Sequence, residues 1–302
     1  MLIHMEMIEI EAFVAIAQAG SVSRAAVALH LSQPAMSRRI DLLEREIGVP
    51  LFDRVPSGVR LTDAGEAFLP YARQVLAAAR DGAEAARALE AEERGTVTLA
   101  LVGTLASTGL TARLRAFRDG QPQVRLLMHT ARSDEVSAMV QRGEAQIGLR
   151  YFAGPDGDLV ALPVDDEPLR VVCAGQSQLI DPAATDARAL VGVPWVGFPR
   201  GASLYSEPFM RAVERQLLRC GLGDAEHIAI DSLTAQKRLI EADFGVGLLH
   251  ASAVEEEVRL GTLRVLNIVA LETAVPVMAI HRRSGYLSGA TRRLLAALTA
   301  SA

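Results

Sequence analysis

Apolar residues in the first fifty positions recur at helical spacing in three short runs. Ile10, Phe13, Val14 and Ala17 fall at i, i+3, i+4 and i+7, which predicts one buried helical face that Gly20 ends. Ser21 is a good N-cap for a second helix that buries Ala25, Ala26 and Leu29. After a turn at His30 and Leu31, Ser32 caps a third helix with Pro34 in its first turn. Its apolar stripe is Met36, Ile40, Leu43 and Ile47, and Gly48 and Pro50 end it. Two short β pieces, 51–54 and 59–61, joined through Pro56, Ser57 and Gly58, predict a hairpin. A hairpin placed directly after a helix-turn-helix is a wing.

Thr62 or Asp63 then caps a long helix reaching about Arg94, with Leu69, Ala72, Leu76, Ala79, Ala83, Ala86 and Leu89 recurring every three or four residues. No flanking segment offers this stripe a partner, so a second copy of the chain is expected to cover it; the alternative is a solvated, Ala-rich linker helix. From Thr96 the pattern changes. Strands are expected at 97–102, 124–128, 147–150, 169–173, 195–198, 228–230, 246–250 and 275–282. Helices are expected at 110–117, 135–141, 209–218, 233–242 and near 289–298. This βαβαβ rhythm, met twice, predicts two α/β halves joined by crossover strands, with a cleft between the lobes. The expected division is a winged helix-turn-helix at 1–62, a dimerising helix at 63–94 and a two-lobed domain at 95–302. One lobe takes about 95–163 and 267–302, the other about 164–266.

Composition fits this picture, with 302 residues of which 50% are hydrophobic and 22% charged, enough core for two globular domains. A net charge of −5 argues neither for nor against nucleic acid, so a DNA reading must stand on local geometry. Cys173 and Cys220 form no CxxC pattern, which suits a reducing cytosol and excludes a disulfide framework or a cysteine-based zinc site. The histidines (His4, His30, His129, His227, His250 and His281) show no metal-ligand spacing, so neither metal nor cofactor is expected. Glu6, Glu9 and Glu11 stand where a signal peptide would carry a basic stretch and an apolar core. The longest uncharged window, 95–112, is rich in Gly, Ser and Thr and makes a poor membrane span. A cytoplasmic protein without membrane contact is expected.

The first turns of the third helix carry Ser32, Gln33, Pro34, Ser37 and Arg38, the short polar groups and forked cation that a major-groove reader needs. Gln33 can bond an adenine edge, and Arg38 can reach guanine or a phosphate. Arg54 and Arg60 on the wing suit the flanking backbone, where contacts position rather than specify. The alternative is that Ser32, Gln33 and Ser37 only cap and solvate a surface helix.

The stretch GSVSRAAVALHLSQPAMSRRIDLLEREIGVPLFDRVPSGVRLTDAGEAFLPYA, residues 20–72, closely resembles the N-terminal signature of LysR-type transcriptional regulators. The matched features are the Ala pair, SQPAxSRxI, LExxxGxxLFxR and LTxAGxxF, in order and at family spacing. The resemblance implies a winged helix-turn-helix, a dimerising linker helix and an effector domain resembling periplasmic binding proteins. It implies double-stranded DNA with inverted half-sites as partner, a homodimer or homotetramer, and no enzymatic activity. It also implies an effector contact at Thr104 and at Ser133.

The loop 199–203, with Arg200 and Ser203, opens a helix of the second lobe, and Ser232 and Thr234 open another. Hydroxyls at helix N-termini together with an arginine suit a small organic anion bound between the lobes. The alternative is that each Ser or Thr is only a helix cap. The chain departs from the family pattern at Asp243, where Gly is usual, and at His250, where Pro is usual. Three competing readings are a redox-responsive regulator acting through Cys173 and Cys220, an enzyme on a two-lobed α/β scaffold, and a solute-binding protein. The enzyme would need a GxSxG, GxxxxGK[ST] or strand-linked GxGxxG motif, none of which occurs; the solute-binding protein would need an export signal and no DNA module.

Overall fold

Capping residues set the helix boundaries of the N-terminal part. The computed structural model describes residues 4–55, 58–90, 95–106, 108–154, 157–181, 183–199 and 208–300. The chain divides into two compact units, Met1–Glu90 with the short segments Gln141–Glu144 and Ser284–Tyr286, and the remainder from Ala91 onward. The first unit runs α1 (Met7–Ala19), α2 (Val22–Ala28), α3 (Gln33–Ile47), β1 (Phe52–Val55), β2 (Gly58–Leu61) and α4 (Asp63–Glu90). Ser21 accepts the Arg24 N–H and Ser32 the Ala35 N–H, so both expected caps are formed. Gly48 ends α3 at φ +87°, where a side chain would be strained.

Phe13, Met36 and Leu43 are fully buried in the core of this unit. The Phe13 ring centroid lies 5.2 Å from those of Phe52 and Phe68, so one side chain ties α1 to the hairpin and to α4. The expectation for the α4 stripe needs correction. Ala72 and Leu76 are buried in their own chain's core, beside Phe13, and Leu69 packs against it. The first half of the stripe is therefore covered from within, because α1 lies against it. Ala79, Ala83 and Ala86 stay exposed, and the open face of α4 also carries Tyr71 and Val75, at 65% and 44% exposure.

The second unit runs β3 (Gly95–Val102), α5 (Thr108–Gly120), β4 (Val124–Ala131), α6 (Ser133–Gln141), β5 (Ile147–Tyr151) and β6 (Leu159–Ala174). It continues with β7 (Trp195–Gly197), α7 (Pro208–Arg219), β8 (His227–Ala229), α8 (Leu233–Glu241), β9 (Gly247–His250) and α9 (Ala251–Leu260). It ends with β10 (Leu263–Leu266), β11 (Thr273–Arg282) and α10 (Gly289–Thr299). The main sheet has the order β10-β6-β11-β5-β3-β4, with β9 also on β6. Strands β3, β4 and β5 are parallel, as the βαβαβ rhythm predicts. The second half differs: β9 and β10 pair antiparallel with β6, while β7 and β8 form a separate parallel pair.

The strand expected at 169–173 begins ten residues earlier, at Leu159. Its first part is only half-buried and carries Asp165, Asp166, Glu167 and Pro168, which mask a strand signal. Helix α9 and strand β10 were not expected either; α9 follows His250 at once, with no turn residue to announce it. Asp243 sits at φ +60°, a conformation glycine adopts freely, and its carboxylate accepts from the Ser177 hydroxyl at 2.6 Å and the Gln178 N–H at 2.8 Å. The departure at this position thus keeps the turn shape and adds a tether. No single helix among the described residues is long and apolar enough to cross a membrane.

Candidate DNA-reading and effector sites

Helix α3 buries Met36, Ile40 and Leu43 and turns Ser32, Gln33, Pro34 and Arg38 outward, with Ser37 half-buried at the margin. Helical periodicity alone produces this split. The Gln33 side-chain oxygen accepts from the Ser23 hydroxyl at 3.2 Å, which leaves its amide hydrogens to donate. Ser32 does serve as a cap, through one lone pair of its hydroxyl. Arg60 is exposed on β2; the Arg54 side chain lies outside the described residues.

The signature residues LExxxGxxLF and LTxAG build a frame that fixes the hairpin to α3. Glu44 Oε1 accepts the backbone N–H groups of Leu51 at 2.7 Å and Phe52 at 3.1 Å. The Thr62 hydroxyl donates to the Pro50 carbonyl at 2.8 Å and accepts the Gly65 N–H at 3.0 Å. A Cβ on Gly65 would lie 2.2 Å from the Leu51 carbonyl oxygen, so only glycine allows α4 to start this close. The Val59 N–H donates to the Gly20 carbonyl at 3.3 Å, anchoring the second hairpin strand at the start of α2. Arg60 is thereby held at a fixed offset from Arg38, which a groove reader with a flanking phosphate contact requires.

In the second unit, β3, β4 and β5 end at the same edge because they are parallel and neighbouring. Val102 pairs with Ala131, and Leu101 with Leu149. Two residues beyond these partners stand Thr104, Ser133 and Tyr151. Carboxyl edges of parallel strands are where α/β folds collect ligands. The half-buried Thr104 lies in a 3-10 turn, Gly103–Leu105, rather than at a helix cap, and its hydroxyl bonds the Tyr151 hydroxyl at 2.9 Å. Ser133 is buried as the first residue of α6, and its carbonyl accepts from the Ser137 hydroxyl at 2.9 Å. The guanidinium of Arg150, itself buried, donates to the Ser137 hydroxyl and the Ala153 carbonyl. Two polar pairs, Thr104 with Tyr151 and Arg150 with Ser137, therefore stand at this edge.

Sequence reasoning missed Arg150 and Tyr151, although the strand it predicted at 147–150 ends on the first and stops one residue short of the second. The available signal was their position at a strand's carboxyl end. Ser232 caps α8 through the Ala235 N–H and is exposed, as is Thr234 beside it. Both follow β8 and belong to a different strand pair from Thr104. Arg200 and Ser203 lie outside the described residues.

Tyr151 stacks on His250, with ring centroids 5.0 Å apart and planes 11° from parallel. His250 closes β9, opposite Leu169 of β6. Burial pushes its pKa from 6.5 down to about 3, so the ring is neutral in the folded protein. The unfolded chain binds this proton near its ordinary pKa and the folded chain does not. Stability should therefore fall on acidification from about pH 6.5 toward 3, by up to about 1.4 kcal/mol per pH unit. His250→Gln is expected to flatten this slope in urea titrations run at successive pH values; an unchanged slope would clear His250 as its source.

Both cysteines are free thiols. Burial raises the pKa of Cys173, with Arg264 opposing that effect, which leaves it a poor thiolate at neutral pH. Among the described residues, no group of three or more His, Cys, Asp or Glu side chains is placed to hold a metal ion.

Residues 8–66 match the family model described as a bacterial regulatory helix-turn-helix protein of the lysR family, and residues 90–302 match the LysR substrate binding domain. The chain is 31% identical over 282 residues to the HTH-type transcriptional regulator TfdS of Cupriavidus pinatubonensis, covering 90% of this chain and 91% of that one. It is 28% identical over 283 residues to the HTH-type transcriptional regulator TcbR of a Pseudomonas species, covering 92% and 93%. It is also similar to the crystal structure of full-length CbnR complexed with its target DNA, at 25% identity and a TM-score of 0.63, covering 99% of this chain and 100% of that one.

Proposed function

The chain belongs to the LysR family of transcription regulators, and on that premise we propose that it reads an operator through α3 and the hairpin and answers to a small organic anion held in its second unit. Gln33, Ser37 and Arg38 meet base edges in the major groove. Arg54 and Arg60 neutralise phosphates beside them. Two copies associate through the open face of α4, where Tyr71, Val75, Ala78 and Gly82 repeat at i, i+4, i+7 and i+11, and a tetramer is the next level of assembly. A two-fold dimer calls for two inverted half-sites. The protein works in the cytoplasm, as a regulator and not as an enzyme.

The observation that supports an anion is the gathering of Thr104, Ser133, Tyr151 and the Arg150 guanidinium at one carboxyl edge. Hydroxyls donate to a carboxylate, and the start of α6 adds its partial positive charge. Ser232 and Thr234, after β8, and the loop bearing Arg200 and Ser203 supply the remaining contacts. An effector shifts DNA binding only by its differential affinity for the two arrangements of the protein.

A thermal-shift series of small carboxylates, followed by calorimetry and gel shift on the chain's own upstream region, tests this reading. Thr104→Val keeps the side-chain shape and deletes the hydroxyl, which should weaken binding of the active carboxylate by about 0.5–1.5 kcal/mol. DNA affinity without ligand should stay unchanged. If Thr104 serves only to hold Tyr151, the variant will melt lower with ligand affinity unaltered, and the effector role falls.

A further inference from the structure

Two strands that do not pair with each other meet at their last residues. β5 pairs with β11 and β9 with β6, so the sheet links them through the β6–β11 ladder. Tyr151 ends β5 and His250 ends β9, and both side chains are buried. Their rings stack almost parallel, with centroids 5.0 Å apart. The stack is thus a direct contact between the parallel half of the sheet and the antiparallel half.

Tyr151 is held at three points. Its backbone pairs with Val277 of β11, and the chain turns away at once, with Phe152 at φ +62° donating its N–H to the Pro276 carbonyl at 2.9 Å. Its hydroxyl bonds that of Thr104 at 2.9 Å. Fixing the backbone and the hydroxyl still leaves a tyrosine ring its broad rotation about χ2 and a sideways swing. A second ring laid against its face removes both. The His250 imidazole makes no capping bond to α9, which begins at the next residue. Burial keeps it neutral, so it meets Tyr151 as a flat, uncharged face.

We propose that His250 is a positioning residue for the Thr104 edge: its ring holds Tyr151 so that the Thr104 hydroxyl is presented to an anion in one orientation. What concerns the anion rests on the function proposed above; the hold on Tyr151 and Thr104 does not. His250 belongs to β9 and Thr104 follows β3, so a change in spacing between the two halves of the sheet alters how Thr104 is presented. An anion bound there favours the spacing that keeps the stack, by its differential affinity for the two arrangements.

The Tyr151 hydroxyl reports this hold directly. Full-length protein carrying tyrosine labelled at Cζ is studied by NMR in mixed light and heavy water, where a slowly exchanging hydroxyl gives two Cζ signals. Tyr151→Phe assigns the Tyr151 pair. The expected result is slow exchange in the wild type, fast exchange in His250→Leu, and slow exchange again in His250→Phe, which restores a flat ring. His250→Gln, also without an aromatic ring, takes the place of His250→Leu if that variant fails to fold. Equal exchange in the wild type and the ringless variant would overturn the proposal, and so would fast exchange in folded His250→Phe. Acetate is the probe for the anion. Its binding, followed by calorimetry, should weaken about two- to tenfold in His250→Leu and stay near the wild-type value in His250→Phe. A packing role alone predicts a lower melting temperature in His250→Leu with hydroxyl exchange and acetate affinity unchanged, and that result would also overturn the proposal. No acetate binding by the wild type, with the exchange pattern as expected, would count against the anion and leave the positioning of Tyr151 standing.

Discussion

Aspartate in place of Leu76 is expected to unfold the N-terminal unit, not merely to separate two copies of the chain. Leu76 is 6% exposed and belongs to the same core as Phe13, Met36 and Leu43. The change removes a buried aliphatic side chain, which typically costs about 2–5 kcal/mol, and forces an unpaired carboxylate toward the core. A unit of this size has roughly 5–15 kcal/mol of total stability, so most or all of it is at stake. Denaturation followed by circular dichroism should lose the transition of the N-terminal unit and keep that of the second unit, with DNA binding abolished. Val75→Asp, on the open face of α4, is the matched control. It should leave the fold intact and shift sedimentation toward the monomer. A wild-type unfolding profile for Leu76→Asp would contradict the packing of α4 on α1.

Alanine in place of Arg38 should weaken binding to the specific operator by about 1–3 kcal/mol, roughly five- to 150-fold, the worth of a good bidentate base contact. The side chain is exposed, and its removal leaves the core of α3 untouched. Arg60→Ala should act differently, lowering affinity for all sequences alike and reducing the slope of log K against log salt by about one unit. Gel-shift titrations over a range of salt distinguish the two. Unchanged operator affinity in Arg38→Ala would mean that another face of the unit reads DNA.

Local chemistry made the N-terminal unit legible in the sequence. Ser21, Ser32, Gly20 and Gly48 act within one turn of their own positions, so they mark helix ends that the structure reproduces. Partners distant in sequence were not legible. The coverage of Leu76 by α1 depends on a contact across some sixty residues, and periodicity reports a buried face without naming what buries it. The same limit hid the antiparallel half of the effector-domain sheet, where β6 is half-buried and polar along its first stretch. At the Thr104 edge, residue type suggested a cap, while only the parallel register of β3 and β5 reveals Tyr151 as its partner. His250 drew notice as a departure from the family pattern, and its stacking on Tyr151 gives that departure a physical context.

The β6–β11 ladder has a mechanical consequence. Its ten pairs bind one group of strands to another, since β11 also carries β5 while the end of β6 carries β9 and β10. The register slips between Val277 and Met278, where an irregular stretch loosens the hydrogen bonding. The slip divides the ladder into two regular runs of five pairs, Thr273–Val277 and Met278–Arg282 on β11. The extra twist that a bulge brings is thereby concentrated at one step, and the two runs of the ladder need not lie in one plane.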